Sequence, residues 1–221
     1  LEDVFRALWV QPASGNAGAA VGAAIAAWHV CLNQPRTVQG GDSMNGAALG
    51  PSYTSTEIRE FLDRFDLPYT TLNRPDVPST VAQLVADGNI VGLLQGRMEF
   101  GPRALGNRSI LGDPRRQETK TCINVKIKDR DPSCPCASAV LGERAPEWFK
   151  LGGDSNYMSM SAAVSRREIP GTAHVDGSAR PQTVHEHVHP SLHAILRAFE
   201  RITGVPVLVN AAFRAPGEPI V

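Results

Sequence analysis

The chain has 221 residues, 42% of them hydrophobic, and its 22 basic side chains are balanced by 22 acidic ones. That length holds one large or two small domains, and zero net charge supplies no bulk field to draw the chain onto nucleic acid or an anionic membrane. The longest apolar run, Ala17 to Trp28, is too short to cross a bilayer and is built of Ala and Gly, and no signal-peptide pattern opens the chain.

In chain order, Ala7 to Val10 reads as a short strand. Ser14-Gly15-Asn16 then opens a helix from Ala17 to Cys31. Its Gly18, Ala19, Gly22 and Ala23 form one very small face, suited to close packing on a sheet or a nucleotide, and ordinary helix packing explains it equally well. A helix N-terminus after a glycine turn is also a phosphate site. Asn33 to Pro51 reads as a linker. A capped helix follows from Ser55 to Phe65, with Ile58, Phe61 and Leu62 on one face. Leu67 to Leu72 reads as a short strand, Val77 to Asp87 as a helix with Val81, Leu84 and Val85 inward, and Ile90 to Leu94 as a buried strand. Ser109 to Leu111 suits a strand, and Pro114 to Ile127 a helix with Pro at its first position. Pro190 to Ile202 reads as a helix and Val205 to Val209 as a strand. Strand–helix alternation without internal repeats predicts an α/β fold.

Residues 96 to 111, GRMEFGPRALGNRSIL, carry the densest chemistry. Arg97, Arg103 and Arg108 are interleaved with Gly96, Gly101 and Gly106 just after an apolar strand. A guanidinium offers a planar fork of donors to carboxylate or phosphate oxygens, and glycine lets backbone approach a ligand. The segment is therefore either a seat for a small anion or a Pro/Gly loop whose arginines pair with Glu99 and solvent. Lys126, Lys128 and Arg130 would share one side of an extended segment and could neutralise polyphosphate together; a solvated basic face is the competing reading. His174 and Asp176 would likewise share one side of a strand, as a proton shuttle, a phosphate contact or an ordinary edge histidine. His185, His187 and His189 alternate, but Pro190 follows at once, which favours a polar loop over a zinc site. Cys31, Cys122, Cys134 and Cys136 show no framework spacing, and Cys134-Pro-Cys136 lacks the partners zinc needs, so free thiols are expected.

The 96–111 segment closely resembles the signature of the carbamoyltransferases that act on nodulation factors and antibiotics, in the domain they share with the YrdC-like fold. The resemblance continues through Lys126-Ile-Lys-Asp-Arg130, Thr172-Ala-His-Val-Asp-Gly-Ser-Ala-Arg180, Gln182-Thr-Val184, Thr203-Gly-Val-Pro-Val-Leu-Val-Asn210 and Gly217-Glu-Pro-Ile-Val221. It covers the chain from Leu49 onward, while Val10 to Ala24 is similar to the closing segment of the actin-like (ASKHA) transferase domain of that family.

The resemblance implies a YrdC-like twisted mixed sheet with flanking helices over 49–221, cut short at its end. Residues 1–48 would be a remnant of the actin-like domain plus linker. It implies a cytoplasmic enzyme that makes carbamoyl adenylate from carbamoyl phosphate and ATP (with Mg), then passes the carbamoyl group to a hydroxyl of a sugar or natural-product acceptor. Catalytic roles fall to Lys128, Arg130 and His174. Contacts to nucleotide and donor fall to Arg97, Arg103, Asn107, Arg108, Ser109, Lys126, Asp176, Arg180, Asn210 and Arg214. The expected partners are the acceptor alcohol and the remainder of the same polypeptide, with an oligomer possible and neither nucleic acid nor membrane.

Departures from the family pattern matter too. Where the family reads Asn-Thr-Ser-Phe-Asn, this chain has Asn210-Ala-Ala-Phe-Arg214, and Asn16 replaces an aspartate that ligates iron in the transferase domain. The iron site is therefore expected to be incomplete here. The chain starts without Met and stops as a strand begins, which reads as a piece of a longer enzyme. Two other readings share these residues: a threonylcarbamoyl-adenylate synthase-like tRNA-modification protein, and a degenerate nucleotide-binding paralogue.

Overall fold

A computed structural model describes residues 9–38 and 40–220. The strand expected at Ala7–Val10 falls in part outside them. The first element, α1 (Asn16–Ala26), runs on as a π-helix through Cys31. None of its residues is buried, so the small Gly/Ala face packs on no sheet among the described residues. A second helix, α2 (Ser55–Arg64), has a full capping box: the Thr54 hydroxyl accepts from the Glu57 amide, and Glu57 accepts from Thr54. Ile58, Phe61 and Phe65 are nevertheless exposed. Residues 67–72 form no strand and are exposed. Tyr69 there donates to Asp63, and no neighbouring strand offers a ladder.

The body begins with α3 (Val77–Ala86), which buries Val81, Ala82 and Val85. Leu84, expected inward, is exposed, because the buried stripe is centred on Ala82. Five strands make the main sheet: β1 (Val91–Leu94), β2 (Arg108–Gly112), β3 (Ser138–Leu141), β6 (Pro181–Val184) and β7 (Val207–Ala212). Between β2 and β3 lie α4 (Gln117–Thr121), which continues as a π-helix over Cys122–Ile127, and a loop. Helix α5 (Ala145–Trp148) and the small pair β4 (Ala162–Ala163) and β5 (Ser178–Ala179) separate β3 from β6. The strand order is β1-β2-β7-β3-β6, with β3 and β6 parallel and every other pair antiparallel. The fold is thus mixed α/β, with a mixed five-stranded sheet and flanking helices. Strand β1 lies at the edge and buries only Leu93 fully, so the expected buried strand is half exposed.

Helix α6 (Pro190–Thr203) shows why the core sits where it does. Pro190 occupies its first turn, Gly204 ends it in the left-handed conformation, and Leu192, Ile195, Leu196 and Phe199 recur at helical spacing. That stripe packs with α3 over one face of the sheet, on Leu111, Ala139 and Leu208. On the other face Ile110, Val209 and Ala211 meet Ile123 of the π-helical turn. Pro114 belongs to the turn before α4, whose helix starts three residues later than expected. Among the described residues no helix is long and apolar enough to cross a membrane.

Candidate functional site

The 96–111 loop is organised from within. Glu99, 1% exposed, accepts hydrogen bonds at Oε1 from the amides of Leu105 (2.7 Å), Asn107 (2.7 Å) and Arg108 (3.1 Å). Arg108, equally buried, spends its guanidinium on the carbonyls of Gln95, Gly96, Asn107 and Pro51. Arg97 is exposed and donates to the Leu49 carbonyl at 3.0 Å. Asn107 Nδ2 donates to the Arg97 carbonyl, and the buried Ser109 hydroxyl accepts from the Gly106 amide. These four expected ligand contacts are instead struts of the loop. Gly106 sits at φ 112°, and a Cβ there would lie 2.6 Å from a Leu192 methyl. Gly106→Ala is therefore expected to lower stability by about 1–3 kcal/mol through backbone strain, read from the urea midpoint.

What the loop presents outward is Arg103, at the rim of a pocket of about 120 Å³, roomy enough for several waters or a phosphate group. Five chain segments converge on it. Arg103 comes from the loop, Lys128 and Arg130 from the end of the π-helical turn, and His174 from the turn before β5. Arg180 joins β5 to β6, and Asn210 and Arg214 come from β7 and the stretch after it. Seven of the thirteen candidate residues thus meet, although they are spread over more than a hundred positions. Lys126 is exposed on the π-helix, and Asp176 is exposed beside His174; neither lines the pocket. The extended segment expected from Lys126 to Arg130 instead winds as a π-helix up to Ile127, which leaves Lys126 outside the pocket that Lys128 and Arg130 line.

The electrostatics of the pocket are one-sided. Five cations line it and no acidic side chain does. Among the described residues, none of the five is in a salt bridge. Lys128, 8% exposed, donates through Nζ to the carbonyls of Ala212 and Arg214. Burial, then the neighbouring Arg214 and Arg130, push its pKa down to about 8. Desolvation and Arg180 likewise lower the pKa of Arg103, although its side chain is largely exposed. Arg130 is aimed by Nε donating to Asn124 Oδ1 at 2.7 Å, and Asn124 in turn donates to the carbonyls of Pro132 and Cys134. Arg214 brings the fifth charge.

The pocket floor is held by a buried amide pair. Asn210 Nδ2 donates to the Ala104 carbonyl and to Gln182 Oε1, while Gln182 Nε2 donates to the Leu105 carbonyl at 2.9 Å. The expected strand carrying His174 and Asp176 is a turn, closed by the His174 amide donating to the Ser178 carbonyl at 2.7 Å. Lys120, 4% exposed, was not foreseen: Nζ donates to the Ala173 carbonyl at 3.2 Å and steadies that turn. A lysine inside an amphipathic helix gives no signal in the sequence that it will be buried. His185, His187 and His189 lie between β6 and α6, with His185 Nε2 3.1 Å from Asp154 and His189 at the helix cap.

Residues 82–221 match the family described as carbamoyltransferase C-terminus, the stretch that contains every pocket residue. The chain is 41% identical over 245 residues to protein sll1178 of Synechocystis sp., an alignment covering 100% of this chain and 40% of that protein. It is 37% identical over 225 residues to the nodulation protein NolO of Bradyrhizobium diazoefficiens (99% and 40%), and 34% identical over 226 residues to nodulation protein U of Azorhizobium caulinodans (97% and 36%). The chain therefore spans about two fifths of the length of these relatives. With the match extending over well more than half of its residues, the chain belongs to the carbamoyltransferase C-terminal family.

Proposed function

We propose that this chain is the donor-activating part of an ATP-dependent carbamoyltransferase, with a YrdC-like body over 49–221 and the end of an actin-like domain over 1–48. The observation that carries the reading is the convergence of Arg103, Lys128, Arg130, Arg180 and Arg214 on one small pocket without a single carboxylate. Carbamoyl phosphate, ATP and water would yield carbamoyl adenylate, pyrophosphate and phosphate, a reaction that gathers several negative charges in one place. Crowded cations provide what such chemistry requires, alignment and electrostatic stabilisation, with no protein nucleophile. Mg would arrive on the triphosphate, since the pocket lining offers it no carboxylate.

The acceptor, a sugar or natural-product alcohol, would be handled by the remainder of the polypeptide. Asn16, the residue in the place of the family's iron-binding aspartate, is exposed at the start of α1, and no acidic residue lies in the first turn of that helix. The residues present do not fit an iron site. The isolated chain is thus expected to exchange labelled pyrophosphate into ATP only when carbamoyl phosphate is supplied, and to form no carbamoylated product from sugar alcohols by mass spectrometry. Exchange that ignores carbamoyl phosphate would refute the donor assignment.

Lys128 adds a pH signature. Its folded pKa of about 8 lies below the ordinary 10.5, so between those values the unfolded chain holds a proton that the folded chain has released. The contribution of this group to stability therefore rises with pH across that window. Phosphate binding needs the ammonium and should weaken as pH climbs through about 8. Calorimetry from pH 7 to 9.5 should show that fall in the native chain and a weaker, flatter profile in Lys128→Met.

A further inference from the structure

Among the described residues, two that line the pocket keep a buried acceptor unsatisfied, Asn210 Oδ1 on the floor and His174 Nε2 on the wall. His174 Nε2 is buried and has no hydrogen-bond partner, although the ring lines the pocket. Its other nitrogen, Nδ1, lies 3.0 Å from Ser178 Oγ, and that hydroxyl is 2.7 Å from Asp176 Oδ1. The Ser178 amide also donates to Asp176 at 2.9 Å. These bonds, the backbone one first, hold the Asp176 carboxyl below its usual pKa, so it is an ionised, acceptor-only group.

A serine hydroxyl has one proton, and here it must point to the carboxylate. Ser178 Oγ then has only lone pairs to offer His174, so Nδ1 carries the hydrogen and Nε2 is a bare acceptor. Burial, opposed by Asp176 and reinforced by Lys120 and Arg180, holds the imidazole neutral. A buried acceptor without a donor is unfavourable until a ligand supplies one. A chain of carboxylate, hydroxyl and imidazole has thus fixed one lone pair in a pocket whose charged side chains are all donors.

Apart from water, the reactants carry few N–H or O–H donors: the carbamoyl amino group, the adenine amino group and the ribose hydroxyls. Of these, only the carbamoyl amino group lies within a few bonds of a phosphate, so it alone can reach an acceptor inside the cluster of cations. Resting on the donor-activating reading above, we propose that His174 Nε2 accepts a hydrogen bond from the amino group of the carbamoyl donor. The pocket would thereby select carbamoyl phosphate over acyl phosphates that lack an N–H. Asp176 and Ser178 act as positioning residues that fix the tautomer.

The test compares carbamoyl phosphate, acetyl phosphate and inorganic phosphate by calorimetry on the 221-residue chain. Acetyl phosphate has a methyl group where carbamoyl phosphate has the amino group. The native chain should prefer carbamoyl phosphate by about tenfold, the equivalent of one hydrogen bond. His174→Ala should erase that preference while leaving acetyl phosphate within about twofold, and His174→Gln, whose carbonyl can accept, should restore part of it. In Ser178→Ala the discrimination should shrink, and nitrogen-15 NMR of the imidazole should change from a single Nδ1–H tautomer to a mixture. Three results would overturn the proposal: preference surviving in His174→Ala, equal weakening of all three ligands, or a native Nε2 that bears the proton. Failure of every phosphate to bind the native chain would overturn the pocket reading itself, a separate outcome.

Discussion

Glu99→Ala is expected to destabilise the chain by about 3–5 kcal/mol, an exceptional loss for one substitution. Among the described residues the carboxylate is the acceptor for the amides of Leu105, Asn107 and Arg108, and Leu105 and Arg108 are themselves buried. Each buried amide left without an acceptor costs about 1–3 kcal/mol, and three such donors are orphaned together, with partial relaxation. Urea denaturation should show a lower midpoint with little change in slope. Arg97→Ala is the control: among the described residues its guanidinium donates only to the Leu49 carbonyl, at the surface, so the shift should stay within about 0.5 kcal/mol. A Glu99→Ala loss under about 1 kcal/mol would mean that the loop is held from elsewhere.

The largest effect on binding should follow from Arg103→Ala and Arg180→Ala. Both guanidinium groups line the pocket and donate to no protein acceptor among the described residues, so their removal takes charge from the site and little from the fold. One charge-assisted contact contributes roughly 1.5–3 kcal/mol, so each variant should bind ATP or carbamoyl phosphate about one to two decades more weakly. Lys126→Ala and Arg97→Ala, which lie outside the pocket, should remain within about twofold. Unchanged affinity in both pocket variants, measured by calorimetry with thermal melts as the folding control, would remove the pocket from consideration as an anion site.

The difference between Arg97 and Arg103 shows what the sequence can reveal here. Both stand in the same Gly/Arg-rich segment, and a guanidinium serves a phosphate and a backbone carbonyl with the same fork of donors. Only the path of the loop decides, and that path is set by Glu99, whose amide partners are invisible to side-chain spacing. Helices α3 and α6 and strand β7 were legible because their apolar periodicity is strong and their ends are marked by Pro and Gly. Residues 67–72 have strand-like composition but no neighbour to pair with, and sheet membership is a tertiary property. Lys126 was misplaced for a related reason: alternation implies a shared side only in extended chain, and Cys122–Ile127 winds as a π-helix. The convergence of Arg103, Lys128, His174 and Arg180 came from ordered blocks of resemblance, not from local pattern.

Strand β7 occupies the middle of the sheet, between β2 and β3, yet it follows both in the chain. Its partners lie roughly seventy to one hundred residues earlier, so the pairing closes long loops and has high contact order. Until residues 207–212 insert, β2 and β3 each present an open edge, the kind of surface that recruits another chain. Asn210 and Arg214 arrive with that strand, so the cationic pocket is incomplete until the strand is in place. The site is complete only once the sheet has closed around β7. A ribosome still holding residues 207–214 in its exit tunnel would therefore carry a nascent chain with unpaired edges and no binding activity.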